Sequence, residues 1–181
     1  MAYPIHTLTS APEPARPVLE QIEKTFGVVP NIASAMANSP ELLKGFWGLF
    51  QQVHSGTFSE AEIQTVLLTN AVTNDSGWAV AFHTMLGLKN GLTPADVDAI
   101  RNRGVPPDAR LAALSHLARR LIETRGHVPQ QDLAGFIAAG FTRAQSLEII
   151  AISAASTITN YVGTIAEPPL EDFLKPHIWR A

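Results

Sequence analysis

Apolar side chains along the chain recur at three- and four-residue intervals, and the two-residue alternation of a half-buried strand is nearly absent. The pattern predicts a first helix from about Pro14 to Phe26, stopped by Gly27. Val28, Val29 and Pro30 form an extended link to a short helix from about Asn31 to Met36. Pro40 sits at a first-turn position and opens a helix whose apolar positions are Leu42, Leu43, Phe46, Trp47 and Phe50, with Gly56 as its end. Ser59 followed three residues later by Glu62 reads as a capping box for a helix to about Thr73. Asp75 or Ser76 caps the next helix, which reaches Lys89 and closes at Asn90-Gly91. Thr93-Pro94 with Asp96 repeats the signature for a short helix ending near Gly104. Asp108 caps a long helix to about Arg125, a short one covers about Gln130 to Ala139, and Thr142 with Gln145 caps a last long helix to about Ile165.

Eight or nine helices with short links predict one all-α domain over residues 1–181, with residues 1–12 as an extended arm. Ser59 to Gly91 and Thr142 to Ile165 are the most apolar stretches and belong at the core or at an interface. Ile149 to Ala166 holds no formal charge and Ile63 to Phe82 only Asp75. Both are interrupted by Ser, Thr and Asn and fall short of the ~20 strongly apolar residues of a membrane span. They read as helices covered by neighbours, so no membrane partner is expected.

Composition sharpens this picture. Of the 181 residues, 46% are apolar and only 16% charged, which leaves little surface suited to water and points to a homo-oligomer. The 13 basic and 16 acidic side chains give a net charge of -3 with no basic block, which argues against nucleic acid as a partner. The N-terminus lacks the basic start and apolar run of a secretory signal, so a cytoplasmic location is expected. There is no cysteine, which removes disulfides, thiolate metal sites and thiol redox cycling from this chain's chemistry. Six histidines are present, but none has another histidine three or four residues away, and neither metal nor cofactor is expected.

The stretch from Phe58 to Pro94 combines a capped helix, the turn Asn74-Asp75-Ser76-Gly77, a helix carrying His83, and the exit Asn90-Gly91. It resembles the core motif of the alkylhydroperoxidase D-like / carboxymuconolactone decarboxylase superfamily. Phe26 to Ile32 with Asn38-Ser39-Pro40 resembles the amino-terminal signature of its peroxidase-related branch. Ala139 through Glu148, Thr159-Asn160-Tyr161 and the tail from Pro168 to Phe173 resemble that branch's carboxy-terminal half. The resemblance implies an all-α, AhpD-like fold whose subunits pair through the helices around the motif. With His83 set on the family histidine, Ser76 and Ala79 stand where the motif's two cysteines would be, and Gln64 where its glutamate would be. A serine hydroxyl cannot attack a peroxide to form a sulfenic acid, and alanine cannot resolve one, so a thiol peroxidase acting from this chain is excluded.

Two readings of His83 remain. It is either a partly buried histidine bonded to Gln64 or a backbone carbonyl, or an acid–base group in a small pocket. The decarboxylase branch resembles this chain in lacking the cysteines while keeping such a histidine. That implies a lyase or isomerase acting on a lactone or small organic acid, with His83 and Gln64 as catalytic candidates and a carboxylate-holding cation still to be found. The alternative is a non-catalytic family member that binds a small molecule or serves as an assembly component. Ser76 is a weak nucleophile candidate, because it lies about 10 Å from His83 along an ideal helix, and otherwise a helix cap. Trp78 and Ala79 are candidates for the pocket wall, with core packing as the plainer reading of Trp78. A pocket beside His83 with a cation in reach would favour the enzyme, whereas Trp78 or Phe82 filling that space would favour the binder.

Overall fold

The computed structural model describes residues 2–180 and contains, among them, nine α-helices and no strand. The helices are α1 (Arg16–Phe26), α2 (Asn31–Met36), α3 (Pro40–Val53), α4 (Glu60–Thr73), α5 (Gly77–Lys89), α6 (Pro94–Arg101), α7 (Ala109–Glu123), α8 (Gln130–Ala138) and α9 (Arg143–Ala166), with 3-10 turns at Glu13–Ala15 and Asp172–His177.

Local chemistry sets most of these boundaries. Ser59, Thr93 and Thr142 each form a complete capping box, with Glu62, Asp96 and Gln145 returning a bond to the cap backbone. Asp108 accepts from Leu111 N at 2.8 Å to open α7. Gly27 ends α1 with φ +77°, a left-handed conformation that costs a glycine little. Some expected ends move. The proline-rich entry makes a 3-10 turn before α1 begins at Arg16, and α3 stops at Val53, ahead of Gly56. Asp75 takes φ +54°, and the turn it makes leaves Ser76 at the start of α5 with its side chain capping nothing.

The middle of the molecule is α4, buried from Ile63 to Val72 and covered by α5, α7 and α9. Leu68, Ala71 and Val72 face a core shared with α1, α2, α3 and α5, while Ile63, Val66 and Leu67 face a second one with α7, α8 and α9. Each fully buried leucine or isoleucine there contributes about 1.5–3 kcal/mol. Where α4 meets its neighbours with polar groups, Thr69 and Ser115 hydroxyls lie 2.8 Å apart and Asn70 Nδ2 donates to Ser153 Oγ at 3.1 Å, while Asn70 Oδ1 is buried without a partner.

The ends of the chain are tied down. The extended N-terminal arm is held by Asn38 Nδ2 donating to Pro4 O at 2.8 Å. At the other end, Glu171 accepts from Asn31 N at 2.6 Å and from Trp78 Nε1 at 2.9 Å, while Arg101 donates to the carbonyls of His177 and Ile178. This tail lies over the start of α5. Among the described residues, α9 is the one helix long and apolar enough to cross a membrane by length and composition. Asn160 is fully buried and donates to Ser156, whereas Tyr161 is exposed.

Candidate small-molecule pocket

The helix periodicity that buries α4 and α5 also brings the candidate residues together. On α4, Glu60 and Gln64 are one turn apart and both line one recess. On α5, Trp78 and Phe82 are one turn apart and stack at 4.9 Å, with Phe82 edge-on to His83. The last turn of α3 brings Phe50 and His54 against them, their rings 4.2 Å apart. Phe26, at the end of α1, closes the wall with its edge to Phe82 at 5.9 Å.

These side chains enclose two adjoining spaces. The inner one is an almost wholly apolar cavity of about 60 Å³, walled by aromatic rings including Phe46, Trp47 and Trp78, with Ala33 and Ala155 among its small residues. The outer one is a recess of about 310 Å³ whose rim carries Thr25, Glu60, Lys89 and Asn90. Phe26, Phe50, His54, Leu67, Phe82 and His83 line both, so the two imidazoles stand at the junction.

His83 and Gln64 meet as the sequence suggested. His83 Nδ1 donates to Gln64 Oε1 at 2.9 Å, which leaves Nε2 as an acceptor with no bond from the described residues. Burial, and secondarily the charge His54 would carry, push the His83 imidazole from its usual 6.5 down to about 3. At neutral pH it is therefore an uncharged hydrogen-bonding group and holds no acidic proton to give.

His54 was not singled out by the sequence as a site residue. Its Nδ1 donates to Glu60 Oε1 at 2.8 Å, and its Nε2 is buried without a hydrogen-bond partner. The five-residue link from Ser55 to Ser59 separates the two partners, so no helix spacing could reveal them, although the Ser59 cap does fix Glu60 at the first turn of α4. Lys89 lines the outer recess, a cationic side chain the sequence did not single out.

Two candidates fall away. Ser76 is 3% exposed, its Oγ has no hydrogen-bond partner, and it lies against α9, where a Cβ on Gly163 would come within 3.2 Å of it. A nucleophile needs a base in hydrogen-bond reach, and none touches this hydroxyl. Ala79 is fully buried in the first core and lines neither space, since its short side chain is covered by the packing around it. Trp78 both packs and forms cavity wall. Among the described residues no three His, Asp or Glu side chains come together as a metal site.

Residues 40–123 match the carboxymuconolactone decarboxylase family. A search of curated proteins finds no match. Among solved structures, an uncharacterised peroxidase-related protein from Ralstonia eutropha JMP134, an alkylhydroperoxidase AhpD core, superposes with a TM-score of 0.82 at 20% identity, over 95% of this chain and 93% of that one. An uncharacterised peroxidase-related protein from Silicibacter sp. TM1040 gives 0.79 at 17% identity, over 96% and 92% of the two chains. A cysteine-to-alanine form of the debrominase Bmp8, in complex with 2,3,4-tribromopyrrole, gives 0.77 at 16% identity, over 98% and 95%. At these identities the likeness is one of fold.

Proposed function

We propose, from the match of residues 40–123 to the carboxymuconolactone decarboxylase family and the AhpD-like fold of a chain without cysteine, that the protein binds a small planar organic molecule beside His83 and handles it without thiol chemistry. The observation that carries this reading is the aromatic-walled cavity adjoining, past two imidazoles, a largely apolar recess that also carries Glu60, Lys89 and Asn90. Trp78 and Phe82 shape that space and do not fill it. Small-molecule sites are typically of this kind, apolar walls with a few placed polar groups.

The groups divide the work. The rings of Phe26, Phe50 and Phe82 sandwich a flat ligand, His83 Nε2 accepts from an O–H or N–H on its edge, and Lys89 at the rim attracts an acidic substituent. Gln64 fixes the tautomer of His83 by taking its other nitrogen. The debrominase complex supports the reading from outside, since a halogenated pyrrole is held in an AhpD-like fold from which a cysteine has been removed. A lyase or isomerase mechanism with His83 as the acid has no support in a histidine held neutral to about pH 3.

Titration with phenol tests the proposal, read through the fluorescence of Trp47 and Trp78 in the cavity wall. Saturable quenching is expected, and Ala155→Leu, which fills the inner space at an overpacking cost of about 1–3 kcal/mol, abolishes it in a protein that still gives a folded circular-dichroism spectrum. Quenching that does not saturate, or that survives Ala155→Leu, rejects the cavity as the binding site.

A further inference from the structure

The pocket contains a second, unassigned chemical group. We infer that His54 and Glu60 form a proton-accepting pair on the same cavity, and that the ligand is a planar acid with two neighbouring donors, such as a dihydroxy arene or an enediol. This rests on the binding reading above and adds to it the ligand class and a proton transfer.

The geometry carries the inference. A carboxylate only accepts, so the 2.8 Å bond from Nδ1 to Glu60 Oε1 puts a proton on Nδ1, and in the neutral imidazole this leaves the lone pair on Nε2. That lone pair is shut from solvent and unpartnered, a costly arrangement in a protein that has otherwise paired most of its buried polar atoms. The Glu60 carboxylate stabilises the imidazolium that forms when Nε2 takes a proton, as the acid does for the histidine of a hydrolytic triad. A free lone pair on a base with a carboxylate behind it is the arrangement general-base chemistry uses.

The second imidazole narrows the ligand. His83 Nε2 is also a lone pair, with its Nδ1 proton given to Gln64. A lone pair repels an oxyanion, so a ligand with one hydroxyl satisfies His54 and leaves His83 without a donor. A ligand with two adjacent donors satisfies both. In the step that follows, the O–H bond of one hydroxyl breaks, its electron pair stays on that oxygen, and the proton becomes N–H on His54 Nε2. The second hydroxyl keeps its proton and donates to His83. The titratable groups lining the two spaces are His54, Glu60, His83 and Lys89. Only His54 pairs a free nitrogen with a carboxylate.

4-Nitrocatechol is a suitable probe, because its ionised form is coloured and its binding is read separately through tryptophan quenching. Wild type is expected to bind it and to show the anion's band at a pH where the free probe is mostly neutral. His54→Phe and Glu60→Gln are expected to weaken binding, and at probe concentrations that saturate the quenching the ionised fraction of bound probe falls about tenfold, the factor equivalent to a charge-assisted hydrogen bond. Glu60 is about half exposed, so Glu60→Gln keeps the test open should His54→Phe fail to fold. Lys89→Met separates the rim charge from the pair. An ionised fraction unchanged in His54→Phe and Glu60→Gln, or lost only in Lys89→Met, overturns the pair and leaves the cavity reading standing. Absence of any quenching in wild type overturns both.

Discussion

A buried imidazole that has committed one nitrogen to an amide expresses its role through its charge, and His83 is held uncharged. The consequence is a pH dependence of stability with a definite sign. His83 titrates near 3 in the folded protein and near 6.5 once unfolded, so between these values the unfolded chain binds more protons. The stability this histidine supports is complete above about pH 6.5 and is lost progressively as pH falls toward 3, by on the order of a few kcal/mol in all. Urea unfolding at a fixed protein concentration across that range reads the slope, and His83→Gln is expected to flatten it. At neutral pH, His83→Ala leaves the buried Gln64 amide unpaired and is expected to cost about 1–3 kcal/mol; an unchanged urea midpoint contradicts the buried bond. The His83–Gln64 contact was one of the two partnerships legible in the sequence, because both positions follow from the motif that Phe58 to Pro94 resembles, laid on two helices. His54–Glu60 and the burial of Ser76 were not. The first is a contact across a loop, and the second depends on the φ of Asp75 and on Gly163, far away on α9.

The helices themselves were the most legible feature, since caps are local chemistry. Ser59, Thr93 and Thr142 each sit three residues before a side chain able to return the bond, and each box is complete. The Ser59 cap has a functional edge, because the residue after it is Glu60. Ser59→Ala is expected to lower stability by about 1 kcal/mol, read as a reduced urea midpoint with an unchanged slope. What could not be read locally is how the tail closes over α5. Glu171 joins α2 to Trp78 through two oxygens, and nothing in the tail's own sequence names either donor. Glu171→Ala strands a buried indole N–H and is expected to cost about 1–3 kcal/mol. Hydrogen exchange should then quicken over residues 171–178 while the α4 amides keep their protection; uniform protection everywhere contradicts the role given to Glu171.

At the scale of the molecule, the low charge content has a visible counterpart. Leu147, Ile150, Tyr161 and Ile165 are all at least half exposed on α9. With Ala154, also exposed, they fall on one side of that helix at helical spacing. An apolar stripe of this kind on a chain with 16% charged residues suits a second copy, and sedimentation velocity is expected to find an oligomer that Leu147→Lys with Ile150→Lys dissociates. A wild-type monomer at the same concentration contradicts this. The absence of cysteine acts at this scale too: the AhpD-like fold is kept, thiol redox chemistry is removed, and the cavity is left with imidazoles and aromatic walls. The most direct test of that cavity is a crystal structure with 4-bromophenol, in which the bromine's anomalous signal marks the ligand. The expected result is a bromine peak within the aromatic walls, among Phe26, Phe50 and Phe82, with the hydroxyl in hydrogen-bond reach of His83 Nε2 or His54 Nε2. A cavity with no bromine peak, in crystals where the compound is bound elsewhere, would contradict it.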